Sequence, residues 1–458
     1  MKYVSTRGQI TPVDFQDAVL MGLAEDRGLL IPESIPDLTG RLEQLKEMSY
    51  NELACDIFRR FISDIAEDDL RELVDASYGQ NFDPAVAPIE QVGDLLVMEL
   101  YHGPTLAFKD VALQLLGNLF EYILARRDRQ LNILAATSGD TGSAAIYGVR
   151  GRDRIQIFVM HPAGGVSPIQ ERQMTTVLDD NVHNLAIEGS FDDCQQIMKH
   201  LAGDLDFKRT WQIGAVNSVN WARVLAQVVY YFWGVFRAQQ RTGAGAVRVA
   251  VPTGNFGDIL AGWYAWKMGL PIEKLILATN ENDILSRFFA TGVYSRGQVH
   301  KTLAPAMDIQ VASNFERYLY YRLGEDADAL RSRMEQFAQT GRLEMETDGP
   351  VDPIFAAGRA TRHDVLDTIG RLWQEQEYLL DPHTAVGVHV GRQTAGDGPL
   401  LCLATAHPAK FPDAIRQATG QDLAHHPQID ALADLPTRCR TLPGTEEAVG
   451  AFMIQTLQ

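Results

Sequence analysis

A parallel, doubly wound α/β fold is what this sequence predicts, and two patterns predict it. Short apolar runs recur, each closing in a turn of small or polar residues: Leu131 to Ala136, Ile155 to Met160, Val182 to Ile187, Val247 to Val251, Leu275 to Thr279 and Leu400 to Thr405. Helix-length amphipathic segments lie between them, such as Ser167 to Leu178, Phe191 to Leu201 and Asn220 to Gln240. Strands that alternate with helices pair in parallel, because the helix supplies the crossover. Ligands of such folds sit at the carboxyl ends of strands, where loops meet helix N-termini.

The chain has 458 residues, more than one hydrophobic core usually supports, so two or three domains are expected. Residues 1 to about 95 form a first block that ends near Asp83-Pro84-Ala85-Val86-Ala87-Pro88. The strand–helix alternation starts at about 96. The stretch from about 300 to 380 is richer in charge and carries helical segments at Asp326 to Gln339 and Arg359 to Glu377, so a mostly helical insertion is expected there.

Composition excludes several classes. Apolar residues make up 46% and charged residues 22%, an ordinary globular balance. Net charge is −18, from 41 Lys and Arg against 59 Asp and Glu, which is unsuited to nucleic acid or an anionic membrane. An anionic substrate therefore needs a local cluster of donors. The most apolar segment, Val224 to Phe236, is shorter than the roughly 20 residues of a membrane span, and Met1 to Gly8 has no apolar signal core. The four cysteines, Cys55, Cys194, Cys402 and Cys439, form no Cys-x-x-Cys spacing, so no metal site is expected and a reducing, cytoplasmic setting fits.

Five loops carry residues suited to chemistry. In His102-Gly103-Pro104-Thr105-Leu106-Ala107-Phe108-Lys109-Asp110 the lysine follows apolar residues, a setting that favours its neutral, nucleophilic form. Thr137-Ser138-Gly139-Asp140-Thr141-Gly142-Ser143 enters a helix and can present N–H groups to an anion. Val251-Pro252-Thr253-Gly254-Asn255-Phe256-Gly257-Asp258 can form an anion nest, and it is neither a Walker loop nor Gly-x-Gly-x-x-Gly. Asn217-Ser218-Val219-Asn220-Trp221-Ala222-Arg223 places polar side chains and an arginine fork at the mouth of a long helix. Thr405-Ala406-His407-Pro408-Ala409-Lys410-Phe411 closes a late strand, and His407 has no assigned role. Taken singly, each loop is equally a helix cap, a turn or a solvated charge.

Together and in this order, they closely resemble the threonine synthases, a family of fold-type-II pyridoxal-phosphate enzymes, in their longer bacterial and fungal form. The carrying segments are 102–110, Ala136 to Gly142, Asn217 to Asn220, Gly254 to Asp258 and Thr405 to Phe411. Tyr3-x-Ser5-Thr6-Arg7-Gly8, Asp26 to Pro32 and Ser313-Asn314-Phe315-Glu316-Arg317 add to the likeness, which spans the whole chain.

The resemblance implies two doubly wound α/β domains like those of tryptophan synthase β, at about 110–215 and 216–458, beside the N-terminal block. It implies a lyase that converts O-phospho-L-homoserine and water to L-threonine and phosphate by γ-elimination and β-addition of water, the last step of threonine biosynthesis. Lys109 would be the catalytic and Schiff-base lysine. Gly254, Asn255, Phe256 and Gly257 would cradle the cofactor phosphate, Thr405 would meet the pyridine nitrogen, and Asp140 would border the ring hydroxyl. Ser138, Gly139 and Thr141 would hold the substrate carboxylate. Asn217, Ser218 and Arg223 would meet the substrate phosphate, with Asp258 nearby. A homodimer is the assembly it admits. Two readings stay open beside it. One is a sister enzyme, such as a serine or threonine dehydratase or a β-replacing synthase. The other is a non-catalytic relative that binds phosphorylated ligands.

Overall fold

Two parallel sheets organise the molecule. The computed structural model describes every residue except Asp83, Ser138, Ala215 and Asp348. Among the described residues the larger sheet has six strands in the order Phe355–Arg359, Ile272–Thr279, Val247–Pro252, Leu400–Ala404, Leu95–Glu99 and Ile89–Val92. Its first five strands run parallel, and Ile89–Val92 closes the edge as an antiparallel hairpin partner of Leu95–Glu99. The second sheet has five parallel strands in the order Arg440–Pro443, Val182–Glu188, Ile155–Pro162, Leu131–Ala136 and Ile213–Gly214. The central strands Leu95–Glu99 and Leu400–Ala404 are buried at every position, as expected of parallel strands covered on both faces.

The longest helix, Trp221–Thr242, shows why the sequence folds this way locally. Asn220 caps its start by accepting from the Ala222 N–H at 3.1 Å, and Gly243 ends it in the left-handed conformation at φ 72°. Between those caps sixteen residues are buried, so the helix is a core element with little exposed face. It packs against the helices Lys109–Arg127, Tyr50–Phe61 and Gly257–Lys267. At roughly 2 kcal/mol for each large apolar side chain removed from water, this helix is a main anchor of the core.

Three chain segments sit apart from their expected places. Phe355–Arg359 lies in the stretch expected to be a mostly helical insertion, yet it is the edge strand beside Ile272–Thr279. Its side chains are only partly buried, as suits an edge, so the apolar signal there is weak. Ile89–Val92 belongs to the six-stranded sheet, although 1–95 was expected to be one separate block. Arg440–Pro443, expected in the large domain, pairs with Val182–Glu188 in the small sheet. The terminal helix Glu446–Leu457 then packs Val449 and Met453 against Cys194 and Ile197.

Besides its packed helices, the N-terminal block is tied to the rest of the fold through one buried arginine and its neighbour. Tyr3–Ser5 pairs antiparallel with Leu30–Pro32. Arg317, fully buried, donates to the Leu30 carbonyl, to the Val219 carbonyl and to Asn314 Oδ1. Beside it Glu316 accepts from the Thr6 hydroxyl at 2.8 Å and pairs with Arg7 at 3.0 Å.

Candidate active site

The loops at the carboxyl ends of strands from both sheets converge on one cavity. Phe108, Lys109, Asp140, Thr141, Ser218, Arg223, the run 252–258, Asn314, His383, Thr405 and Ala406 line it.

Lys109 opens the helix Lys109–Arg127 and is buried. Its Nζ lies 4.8 Å from the centre of the Phe108 ring and 3.8 Å from Asp140 Oδ2. Burial, with the charges of Lys410 and Arg223 nearby, holds this amine below the usual lysine range, although Asp140 pulls the other way. The loop before it is pinned to the late strand: the Phe108 N–H donates to the Thr405 carbonyl at 2.8 Å and the His407 N–H to the Leu106 carbonyl at 3.1 Å.

Asp140 is the first residue of the helix Asp140–Val149. Its Oδ1 accepts from Gln170 Nε2 at 2.8 Å and pairs with Lys410 Nζ at 2.8 Å. Burial would raise this carboxyl, but Lys410 and Lys109 outweigh it and hold the group well below the usual carboxylate range.

The loop 253–257 wraps the N-terminus of the helix Gly257–Lys267. Phe256 takes the left-handed conformation at φ 66°, which costs an ordinary residue about 1–2 kcal/mol. Full burial of its ring, stacked on Phe289 at 5.9 Å and edge-on to Phe315 at 5.6 Å, is worth about 2–3 kcal/mol and offsets that cost. A Cβ on Gly254 would come within 2.7 Å of the Ala306 carbonyl oxygen, so the backbone runs closer to its neighbour than a side chain allows. The Asn314 N–H donates to the Asn255 carbonyl at 3.0 Å, and Asn314 Nδ2 donates to the Ser218 carbonyl at 2.9 Å. One asparagine thus ties the 253–257 loop to the 217–220 loop.

Two buried groups in this wall keep polar atoms without a partner among the described residues. They are Arg223, at Nε and Nη1, and Asp258, at Oδ2. Burial lowers the Arg223 guanidinium to about 10. Burial also raises the Asp258 carboxyl to about 6, although its Oδ1 accepts from the Tyr230 and Tyr231 hydroxyls at 2.7 and 2.8 Å. A buried cation with unused donors is costly unless an anion meets it.

These residues fit pyridoxal phosphate. A buried lysine of depressed basicity faces a helix N-terminus whose loop leaves no room for a Cβ, and Thr405 lines the same cavity. That set offers an amine for the aldehyde, N–H groups for the phosphate and a hydroxyl for the ring nitrogen.

Of the remaining expected positions, Ser138 lies outside the described residues. Thr141 lines the cavity, whereas Gly139 and Asn217 are not among its lining residues. Gly139 packs against Gln170, and Asn217 Oδ1 accepts from the Val219 N–H at 3.2 Å. Ser218 lines the cavity and shares a hydrogen bond with Ser313 at 2.8 Å. His407, left without a role, accepts from the Ala409 N–H and sits edge-on to Tyr101.

Sequence reasoning missed Lys410, His383, Gln170 and Asn314. His383 turns Nδ1 to Asp381 at 2.8 Å and accepts from the Ala306 N–H through Nε2 at 3.2 Å, which orders the 305–307 turn against Gly254. Lys410 carried a readable signal, because Ala409 and Phe411 flank it on both sides with apolar side chains, whereas Lys109 has Phe108 before it and Asp110 after it.

Comparison with known proteins agrees with this geometry. The family described as pyridoxal-phosphate dependent enzyme matches residues 84–351. Those described as threonine synthase N terminus and threonine synthase, C-terminal match residues 2–78 and 384–453. The threonine synthase of Pseudomonas aeruginosa is 44% identical over 99% of this chain and 98% of its own length. The crystal structure of the pyridoxal-phosphate-bound threonine synthase from Brucella melitensis superposes with a TM-score of 0.95 at 44% identity, covering 100% of both chains. The threonine synthase from yeast superposes at 0.93 with 39% identity, over 100% of this chain and 98% of that one.

Proposed function

We propose, from the premise that this chain belongs to the threonine synthase family, that its cavity converts O-phospho-L-homoserine and water to L-threonine and inorganic phosphate. The chain is a pyridoxal-phosphate-dependent lyase of that family. The observation that carries the substrate reading is Arg223: a buried guanidinium with unused donors in the same cavity as Lys109, outside the 253–257 loop. A phosphorylated substrate explains a second anion site; a dehydratase or β-replacing enzyme has no need of one.

Lys109 would carry the cofactor, the 254–257 loop its phosphate, Thr405 its ring nitrogen, and Asp140 would border its ring hydroxyl. The bound cofactor supplies an electron sink that acidifies the C–H bonds next to the substrate amine. The chain's own residues then divide the work. Arg223, with Ser218, grips the substrate phosphate and fixes the γ carbon. Thr141 holds the carboxylate. Lys109 Nζ, its basicity lowered by burial, takes a proton at the α carbon, moves one from the β carbon and returns one at the γ carbon once phosphate has left it. Asp258 holds Tyr230 and Tyr231 in place beside the anion sites. Lining groups that bind at both ends exclude bulk water until one water adds at the β carbon.

The same reading extends to setting and assembly. Among the described residues no helix is long and apolar enough to cross a membrane, and all four cysteines are free thiols, which supports a cytoplasmic protein acting on a small molecule. A homodimer belongs to this proposal and is open to sedimentation analysis.

The test is to mix the purified protein, loaded with cofactor, with O-phospho-L-homoserine and to assay products. Phosphate and threonine are expected in equal amounts. Ammonia from threonine, with no phosphate release, would assign a dehydratase instead. A protein that takes up no cofactor would point to a non-catalytic relative.

A further inference from the structure

Lys410 is a buried cation that the chemistry above does not use. It is 1% exposed and stands in the turn Pro408–Lys410, just past the carboxyl end of Leu400–Ala404 in the six-stranded sheet. Its partner Asp140 starts a helix that follows Leu131–Ala136 in the five-stranded sheet. The 2.8 Å contact between them therefore crosses from one sheet system to the other, directly behind Lys109. Lys410 Nζ also donates to the Thr105 carbonyl at 2.7 Å, in the loop that leads to Lys109.

The division of Asp140 is uneven. Oδ1 is taken by Lys410 and by Gln170 Nε2, both at 2.8 Å. Only Oδ2 is turned to Lys109, and at 3.8 Å it is too far for a hydrogen bond. A buried carboxylate with a single lysine for company would draw that lysine into a close pair and keep it protonated. Here the close pair is made with a different lysine.

We propose that Lys410 is a positioning residue that captures Asp140, so that Lys109 stays free of a tight ion pair and gives up its proton readily. The clamp also locks the 105–109 loop between the two sheets, so orientation and basicity of Lys109 are set together. This rests on the reading of Lys109 as the cofactor lysine.

The experiment follows the visible absorbance band of the cofactor-loaded protein against pH, in wild type and five variants. Lys109→Ala should lose the band; a band that persisted would remove the reading of Lys109 and this proposal with it. Lys410→Met should keep the band and move its pH midpoint up by about one unit or more, the effect of deleting a neighbouring cation. Lys410→Arg, which restores a cation, should return the midpoint towards wild type. Asp140→Asn should move it down, and adding Lys410→Met to Asp140→Asn should leave it near the Asp140→Asn value, because no carboxylate is then left to release. A Lys410→Met shift that disappears when Asp140 is absent would arise neither from loosened packing nor from the two charges acting independently. An unchanged midpoint in Lys410→Met, beside a wild-type band that depends on Lys109, would overturn the proposal and leave the reading of Lys109 standing. If Lys410→Met does not fold, Lys410→Gln is read in its place: a raised midpoint supports the proposal, and no change overturns it.

Discussion

Arg317 and Leu30 are joined by two hydrogen bonds, from Nε at 3.1 Å and from Nη2 at 2.9 Å to one backbone carbonyl. The same guanidinium reaches Val219 and Asn314, so it welds the N-terminal block to the loop that carries Ser218 and to the asparagine that holds the 253–257 loop. Arg317→Met would leave buried carbonyls without donors. We expect a loss of about 3 kcal/mol in unfolding free energy, measured by denaturant titration. We also expect faster proteolysis within residues 1–32, and an unchanged digestion pattern would count against the weld.

Lys109 is proposed to carry the proton transfers and the cofactor. Lys109→Ala should lower turnover by about a thousandfold or more and abolish the visible cofactor band. Denaturant stability should fall little or rise, since a buried amine is removed. Turnover within tenfold of wild type would exclude the assignment.

Arg223 is expected to act on substrate and to leave the cofactor alone. Arg223→Met should lower kcat/KM for the phosphorylated substrate by about a hundredfold, the scale of a lost charge-assisted contact. The cofactor band should stay. Loss of the band with unchanged kinetics per bound cofactor would move Arg223 to the cofactor phosphate.

Gly254→Ala tests the close approach of the loop proposed to cradle the cofactor phosphate. The new Cβ would sit 2.7 Å from the Ala306 carbonyl oxygen, so one of the two loops must shift. Cofactor affinity should fall by about tenfold or more, read by equilibrium dialysis. Wild-type affinity would show that the 305–307 turn yields without cost.

The imidazole of His407 gives the protein a pH dependence. Burial, with His426 alongside, pushes it from 6.5 down to about 4. The folded-state value is the lower one, so the unfolded chain binds the extra proton as pH falls. Stability is then full above 6.5 and is lost as pH drops from 6.5 to about 4. Asp110 and Asp258, both raised to about 6 by burial, act in the opposite sense over the lower part of that window, so the comparison must be with a variant. Relative to His407→Asn, wild type should lose about 2 kcal/mol between pH 7 and pH 4. A difference that stays flat across that range would mean His407 titrates normally.

The sequence by itself determined the α/β class and the loops of the site. Parallel strands buried on both faces read as apolar runs, and glycine, proline and capping residues mark the turns after them. It also singled out Lys109 as a candidate, through the apolar residues before it and the likeness of the whole 102–110 segment to the family. Phe355–Arg359 escaped notice because an edge strand needs little burial and leaves a weak pattern. Arg440–Pro443 escaped its sheet because nothing local tells a strand which neighbour it will meet. Only the tertiary structure decided that Lys410 and Asp140, from different sheets, form one buried pair. It alone brought Thr6, Leu30 and Glu316–Arg317 to one junction, and left Arg223 with donors to spare. The reason is common to all three. A side chain's charge and size are written at its own position, whereas its partner and its exposure to water depend on chain segments hundreds of residues away.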